Sequence, residues 1–268
     1  MKRTTFLRLG LFLLLVLLPA SSFAWSDTVY RLVLRKAIDT LPKAQKKYFE
    51  AHRYEMPSLI PDEDPPVRPE GRRFALDLLG VFPFGDIPQD EATVKAKVDP
   101  SLVGRLPFLL LEAQARLVEA FKAGDKERIL VEADAVAILA ADLNNPLALS
   151  ANFDGQKTDQ PGLSKRFTSL LAESMEGRLK LHPEAARLLE NPRDYVFGSM
   201  VRNHVWVDNI LYADGLAHRG KSAYGGPYFE ALELRAGRLL GEILSNAAAD
   251  AGSFWYTAWT QAGRPELR

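Results

Sequence analysis

The 268-residue sequence contains no cysteine. Neither a disulfide framework, nor thiolate metal ligation, nor a cysteine nucleophile is therefore open to it. Histidine is almost as scarce, with four in the whole chain, which leaves few imidazoles for acid–base or metal chemistry. No apolar run reaches the roughly 20 residues needed to cross a bilayer. Strand-like alternation nowhere persists beyond a few positions, and no internal repeat is present. Charge of neither sign is in excess, with 34 Lys+Arg against 34 Asp+Glu. The Gly-x-Ser-x-Gly elbow, the Gly-rich phosphate loop before a helix and the His-Glu-x-x-His helix are also absent, which removes three widespread catalytic signatures.

What is present begins with a leader. Lys2, Arg3 and Arg8 precede an apolar run from Leu9 to Leu18, Pro19 closes it, and Ser22-Phe23-Ala24 places small residues at a cleavage position. This is the pattern of a cleavable export signal over residues 1–24. It predicts a periplasmic or secreted mature chain, 25–268, with Trp25 first and no transmembrane anchor after cleavage. Without the leader's three basic residues the balance is 31 Lys+Arg against 34 Asp+Glu, a net charge of −3. That balance gives no strong nucleic-acid footprint. Lacking disulfides, the exported chain must rely on its core, which its length can supply.

The mature chain reads as helix almost throughout. Val29, Leu32, Val33, Ala37 and Leu41 recur at helical spacing and Pro42 stops the run, predicting a helix over Thr28–Leu41. A second is predicted over Ala44–His52. The proline- and acid-rich stretch Pro57–Gly71 and the stretch Val81–Pro88 read as loops, and Asp90 as the N-cap of a short helix. Long helices are expected over Pro107–Ala123, Lys126–Asp142, Leu163–Lys180 and Arg193–His218, with a last one from about Tyr228 that loosens near Gly252. The expected class is all-α, a single multi-helix domain.

One set of motifs is specific. In order along the chain stand Glu50-Ala51-His52-Arg53, Pro61-Asp62, Phe74 to Leu78 (FALDL), Phe82 to Asp90 (FPFGDIPQD) and Gly104 to Phe108 (GRLPF). Asp142 at a helix end, Asn152 to Gln156 (NFDGQ), Gly162 to Phe167 (GLSKRF) and a closing Tyr256 to Leu267 follow. This succession resembles the zinc-dependent phospholipase C and single-strand nuclease superfamily, in its bacterial branch, over nearly the whole mature chain. The resemblance implies that family's helical fold and a three-zinc site built from histidines, carboxylates and the terminal tryptophan. Such a site activates water and neutralises the oxygens of a phosphodiester.

The ligand positions that the resemblance implies are mostly substituted here. Trp25, Asp62 (or Asp64, depending on loop register) and Asp142 keep ligand-type residues. Tyr30, Phe74, Ile138, Ala148, Ser164 and Thr168 stand where the family has histidine or an acid. Three oxygen or amine donors without an imidazole do not make a zinc site of the usual kind. The implied reading is a metal-site-degenerate, non-catalytic protein without a cofactor. It would bind a small anion, a lipid head group or a protein partner in the former cleft. The alternative is a phosphodiesterase working with a reduced metal site, holding one weakly bound divalent cation.

The other candidates have plainer readings. His52 reads as structural, His182 as a turn residue before Pro183, and His218 as a helix-end cation. His204 and Asp208, four residues apart, read as a hydrogen-bonded pair on one helix face. The acidic run Asp62-Glu63-Asp64 reads as solvated loop, with calcium as the functional alternative. Trp255 and Trp259 read as core at helical spacing, while Trp206 and Tyr256 are candidates to line a groove. Asp142 needs a counter-charge if it is buried. The expectation is that the Trp25 α-amine supplies it to Asp142 or Asp62, with Asn144, Asn145 and Asn152 completing the hydrogen bonds.

Overall fold

A computed structural model describes residues 25–60 and 71–267. Among these residues all regular structure is helical. The α-helices are α1 (Asp27–Thr40), α2 (Lys43–Ala51), α3 (Glu91–Lys97), α4 (Pro100–Val103), α5 (Leu106–Ala123), α6 (Lys126–Leu143), α7 (Leu163–Lys165), α8 (Leu171–Ser174), α9 (Pro192–His204), α10 (Val207–His218) and α11 (Gly226–Gln261). The export-signal segment lies outside the described residues. No helix among them is long and apolar enough to cross a membrane.

The organising element is α6. From Val136 to Leu143 every residue is buried, as expected of a helix that is apolar all round and enclosed by others. It packs against α5, α11 and α1. Two tryptophans fasten it along its length. Trp255 Nε1 donates to the Ala133 carbonyl at 2.8 Å, and Trp25 Nε1 donates to the Ala141 carbonyl at 2.9 Å. The second bond reaches a last-turn carbonyl, in the stretch where intrahelical partners run out. Trp255 is fully buried and stacks on Phe49 with centroids 4.7 Å apart, so its role is core. Trp259 is half-buried and donates to the Pro265 carbonyl.

Three helix expectations are corrected. α11 does not loosen at Gly252 but runs unbroken from Gly226 to Gln261. A Cβ built at position 252 would lie 2.0 Å from Thr40 Oγ1 and 3.2 Å from the Ala37 carbonyl. The glycine is there because α1 crosses at that point, not because the helix ends. The Arg193–His218 helix is two helices, since Val205 and Trp206 interrupt the ladder between α9 and α10. His204 and Asp208 therefore lie on different helices and make no hydrogen bond with each other. The Leu163–Lys180 helix stops at Ser174 and passes through a π-helical stretch at Arg166–Leu170.

Beyond it the chain runs as an irregular strap over α11. The His182 N–H donates to Ser245 Oγ, Arg187 N–H to Ser253 Oγ, and Leu189 N–H to Thr257 Oγ1, while Ala186 N–H reaches the Thr40 carbonyl. Hydroxyls on one face of α11 thus satisfy backbone donors that a helix would otherwise have paired internally.

Candidate functional site

Asp142 sits in the last turn of α6 and is 1% exposed. Its counter-charge is Arg72. Arg72 Nη1 lies 2.5 Å from Asp142 Oδ2, and the Tyr30 hydroxyl donates to Asp142 Oδ1 at 2.5 Å. Arg72 Nη1 also donates to the Tyr30 oxygen at 2.8 Å. The three groups form a closed triangle of charge-assisted hydrogen bonds, the strong kind.

The segment carrying Arg72 is held on both sides. Gly71 and Arg73 carbonyls accept from Arg105 and Leu106 N–H, Ala75 N–H donates to Val103, and Phe74 N–H donates to the Ala148 carbonyl at 2.8 Å. Tyr30 comes from α1, one helical turn along from Ser26, whose carbonyl accepts the Tyr30 N–H. Burial raises the Tyr30 phenol well above its ordinary range, and the Asp142 charge raises it further. For Arg72, burial opposes the charge, but Asp142 and Tyr30 outweigh it and hold the guanidinium above its ordinary value. Tyr30 therefore donates a proton and Arg72 stays cationic.

The other positions that the resemblance singles out are buried and apolar or internally bonded. Ile138 lies one turn before Asp142 on α6 and Ala148 in the following 3-10 turn, both buried. Phe74 is fully buried and meets Phe108 and Phe197 edge-on, at 5.9 and 6.3 Å. Thr168 Oγ1 donates to the Ser164 carbonyl at 2.9 Å, and Ser164 N–H donates to Asp154 Oδ1. The structure thus joins Tyr30 to Asp142, Phe74 to Ala148, and Ser164 to Thr168. Trp25 packs near them, its ring 6.2 Å from Phe167. Asp62 and Asp64 lie outside the described residues.

The amides do not complete the Asp142 shell, which corrects that expectation. Asn144 Nδ2 donates to the Ala140 carbonyl and to Asp250. Asn145 Oδ1 accepts Leu147 N–H, and Asn152 bridges Lys157 N–H and Thr158 Oγ1. Their work is capping and loop closure. The NFDGQ loop is built the same way: Asp154 accepts the N–H groups of Gly162 and Ser164, and Gln156 bonds both Asp154 N–H and the Ala151 carbonyl. Gly155 has φ +72°, and a Cβ there would sit 2.5 Å from the Gln160 carbonyl, so only glycine fits.

The histidines stand apart from this centre. His52 Nδ1 lies 2.7 Å from Glu55 Oε1, His182 is exposed, and His218 stacks on Tyr224 at 4.3 Å. His204 packs edge-on against Phe84 at 4.8 Å, and burial lowers its pKa. Among the described residues no group of three or more His, Asp or Glu could hold a metal ion. At this centre Asp142 meets a guanidinium and a phenol, a donor set that does not suit zinc.

Sequence reasoning missed Arg72. The available signal was that a buried Asp142 demands a cation, and Arg72-Arg73 stand immediately before Phe74. Arg73 turns elsewhere, over the Phe153 ring at 4.9 Å and onto the Ser101 carbonyl. No family model matches the chain, and no curated protein matches it.

Proposed function

We propose that this chain is an exported, non-catalytic relative of the zinc-dependent phospholipase C and nuclease superfamily that works by binding in the former active-site cleft. One observation carries the reading: Arg72 and Tyr30 engage both oxygens of Asp142, the carboxylate the resemblance makes a metal ligand. A cation on the chain stands in place of a bound one. Ile138, Ala148 and Phe74, which the resemblance makes ligand positions, are buried and carry no side-chain donor. The ligand classes that the resemblance leaves open are a small anion, a lipid head group or a protein segment.

The deciding experiment uses protein processed to begin at Trp25, because an N-terminal tag removes the amine that the resemblance makes a ligand. Elemental analysis is expected to find less than one tightly held zinc per chain, with no hydrolysis of phosphodiesters and no change in melting temperature on chelation. More than one zinc per chain, or a diesterase activity abolished by chelator and by Asp142→Ala, would overturn the proposal in favour of a reduced-metal phosphodiesterase.

A further inference from the structure

A second polar centre lies on the other side of Asn144. Asp250 of α11 is 7% exposed, and its two oxygens accept from neutral donors, the Tyr195 hydroxyl and Asn144 Nδ2. It lines a cavity of about 190 Å³ together with Arg187, Arg202, Glu184, Ser199 and Asn246. That volume is about six water molecules' share of the liquid, the room a small organic molecule needs.

Two guanidiniums converge there on one ring. Arg187 lies 5.4 Å and Arg202 5.6 Å from the Tyr195 ring centroid. Asp250 and Glu184 act electrostatically on Arg187, and Asp250 also feels Arg202. Yet neither arginine makes a salt bridge to a carboxylate among the described residues. Arg202 Nη2 donates to Ser199 Oγ at 2.7 Å, and Arg187 Nη2 reaches the Tyr195 oxygen at 3.4 Å. Of the five donors on each fork, most are left for a ligand. The strap over α11 fixes Arg187 here, because its own N–H is tied to Ser253 Oγ.

The acids define the opposite pole. Asp250 and Glu184 offset the two arginines, so the formal charge of the cavity is zero, but the charge is divided. Burial raises the Asp250 pKa despite its two hydrogen bonds and the nearby guanidiniums, so a cation in the cavity would favour its charged form.

We propose that this cavity binds a small zwitterion of α-amino-acid type, with the oxyanion between Arg187 and Arg202 and the ammonium group toward Asp250 and Glu184. The inference is independent of the reading of the Asp142 centre, because it shares no charged residue with it.

Calorimetric titration of the full processed protein with L-alanine, acetate and methylamine tests it, since the last two carry one pole each. L-alanine is expected to bind at least about tenfold more tightly than either single-pole probe. Arg187→Gln and Arg202→Gln, both at exposed positions and expected to fold normally, should each weaken L-alanine by about tenfold or more. Absence of L-alanine binding up to ~10 mM, equal binding of acetate, or unchanged affinity in both arginine variants would overturn the proposal.

Discussion

Replacing Arg72 with methionine keeps most of the side chain's length and removes its charge. Asp142, at 1% exposure, then loses the guanidinium at 2.5 Å and retains the Tyr30 hydroxyl. Removing one partner of a buried ion pair costs about 3–5 kcal/mol. The Arg72 side chain is itself 14% exposed, so water can reach its position and about 3 kcal/mol is the expected loss. For a chain of this size that lowers the melting temperature by about 6–12 °C. A double-mutant cycle isolates the pair. Asp142→Asn should cost less than Arg72→Met, and the double variant should be more stable than the sum of the two losses implies. Circular dichroism or calorimetric unfolding at neutral pH reads all four proteins. If Arg72→Met costs under about 0.5 kcal/mol, as an exposed ion pair would, or if the two losses simply add, the triangle at Asp142 does not hold that part of the fold together.

Three further outcomes follow from other parts of the molecule. Gly252→Ala should destabilise by about 1–3 kcal/mol through overpacking against Thr40, and Thr40→Ala should recover part of the loss in thermal unfolding of the double variant. Asp154→Ala removes the acceptor of two backbone N–H groups. It should cost about 1–3 kcal/mol and make the 152–164 loop the first site of limited proteolysis. Burial raises the Tyr30, Tyr195 and Tyr228 phenols, and that of Tyr48 to about 12, from an ordinary value of 10.0. The folded chain keeps protons that the unfolded chain releases, so stability is full below pH 10 and falls as pH rises beyond it. Denaturant unfolding from pH 8 upward should show a plateau followed by that loss, and a flat profile to pH 12 would contradict it.

Much of the architecture was legible because local signals and burial agree. Val29, Val33 and Ala37 mark the buried face of α1, Asp90 caps α3, and the helix expected over Lys126–Asp142 forms as α6. Failures fell where a distant partner decides. Nothing local to Gly252 shows that Thr40 of another helix presses on it. The stop after Ser174 depends on hydroxyls some 70 residues away that hold the strap instead. At the candidate site, Asp142 and the positions that the resemblance singles out came from motif order alone. Arg72 was missed, because pairing across 70 residues leaves no spacing to read and only the demand of a buried Asp142 for a cation pointed to it. Tyr30 was named from the same motif order, but its hydrogen bond to Asp142 needed the packing of α1 on α6.

The counter-charge at Asp142 is also a matter of mass action. A bound cation stabilises a fold only in proportion to its free concentration over its dissociation constant. A guanidinium on the same chain has no such dependence, since its local concentration is set by the backbone from Gly71 to Ala75. For this element of the fold, the positive charge facing Asp142 is supplied at a fixed local concentration, whatever the dilution of the chain.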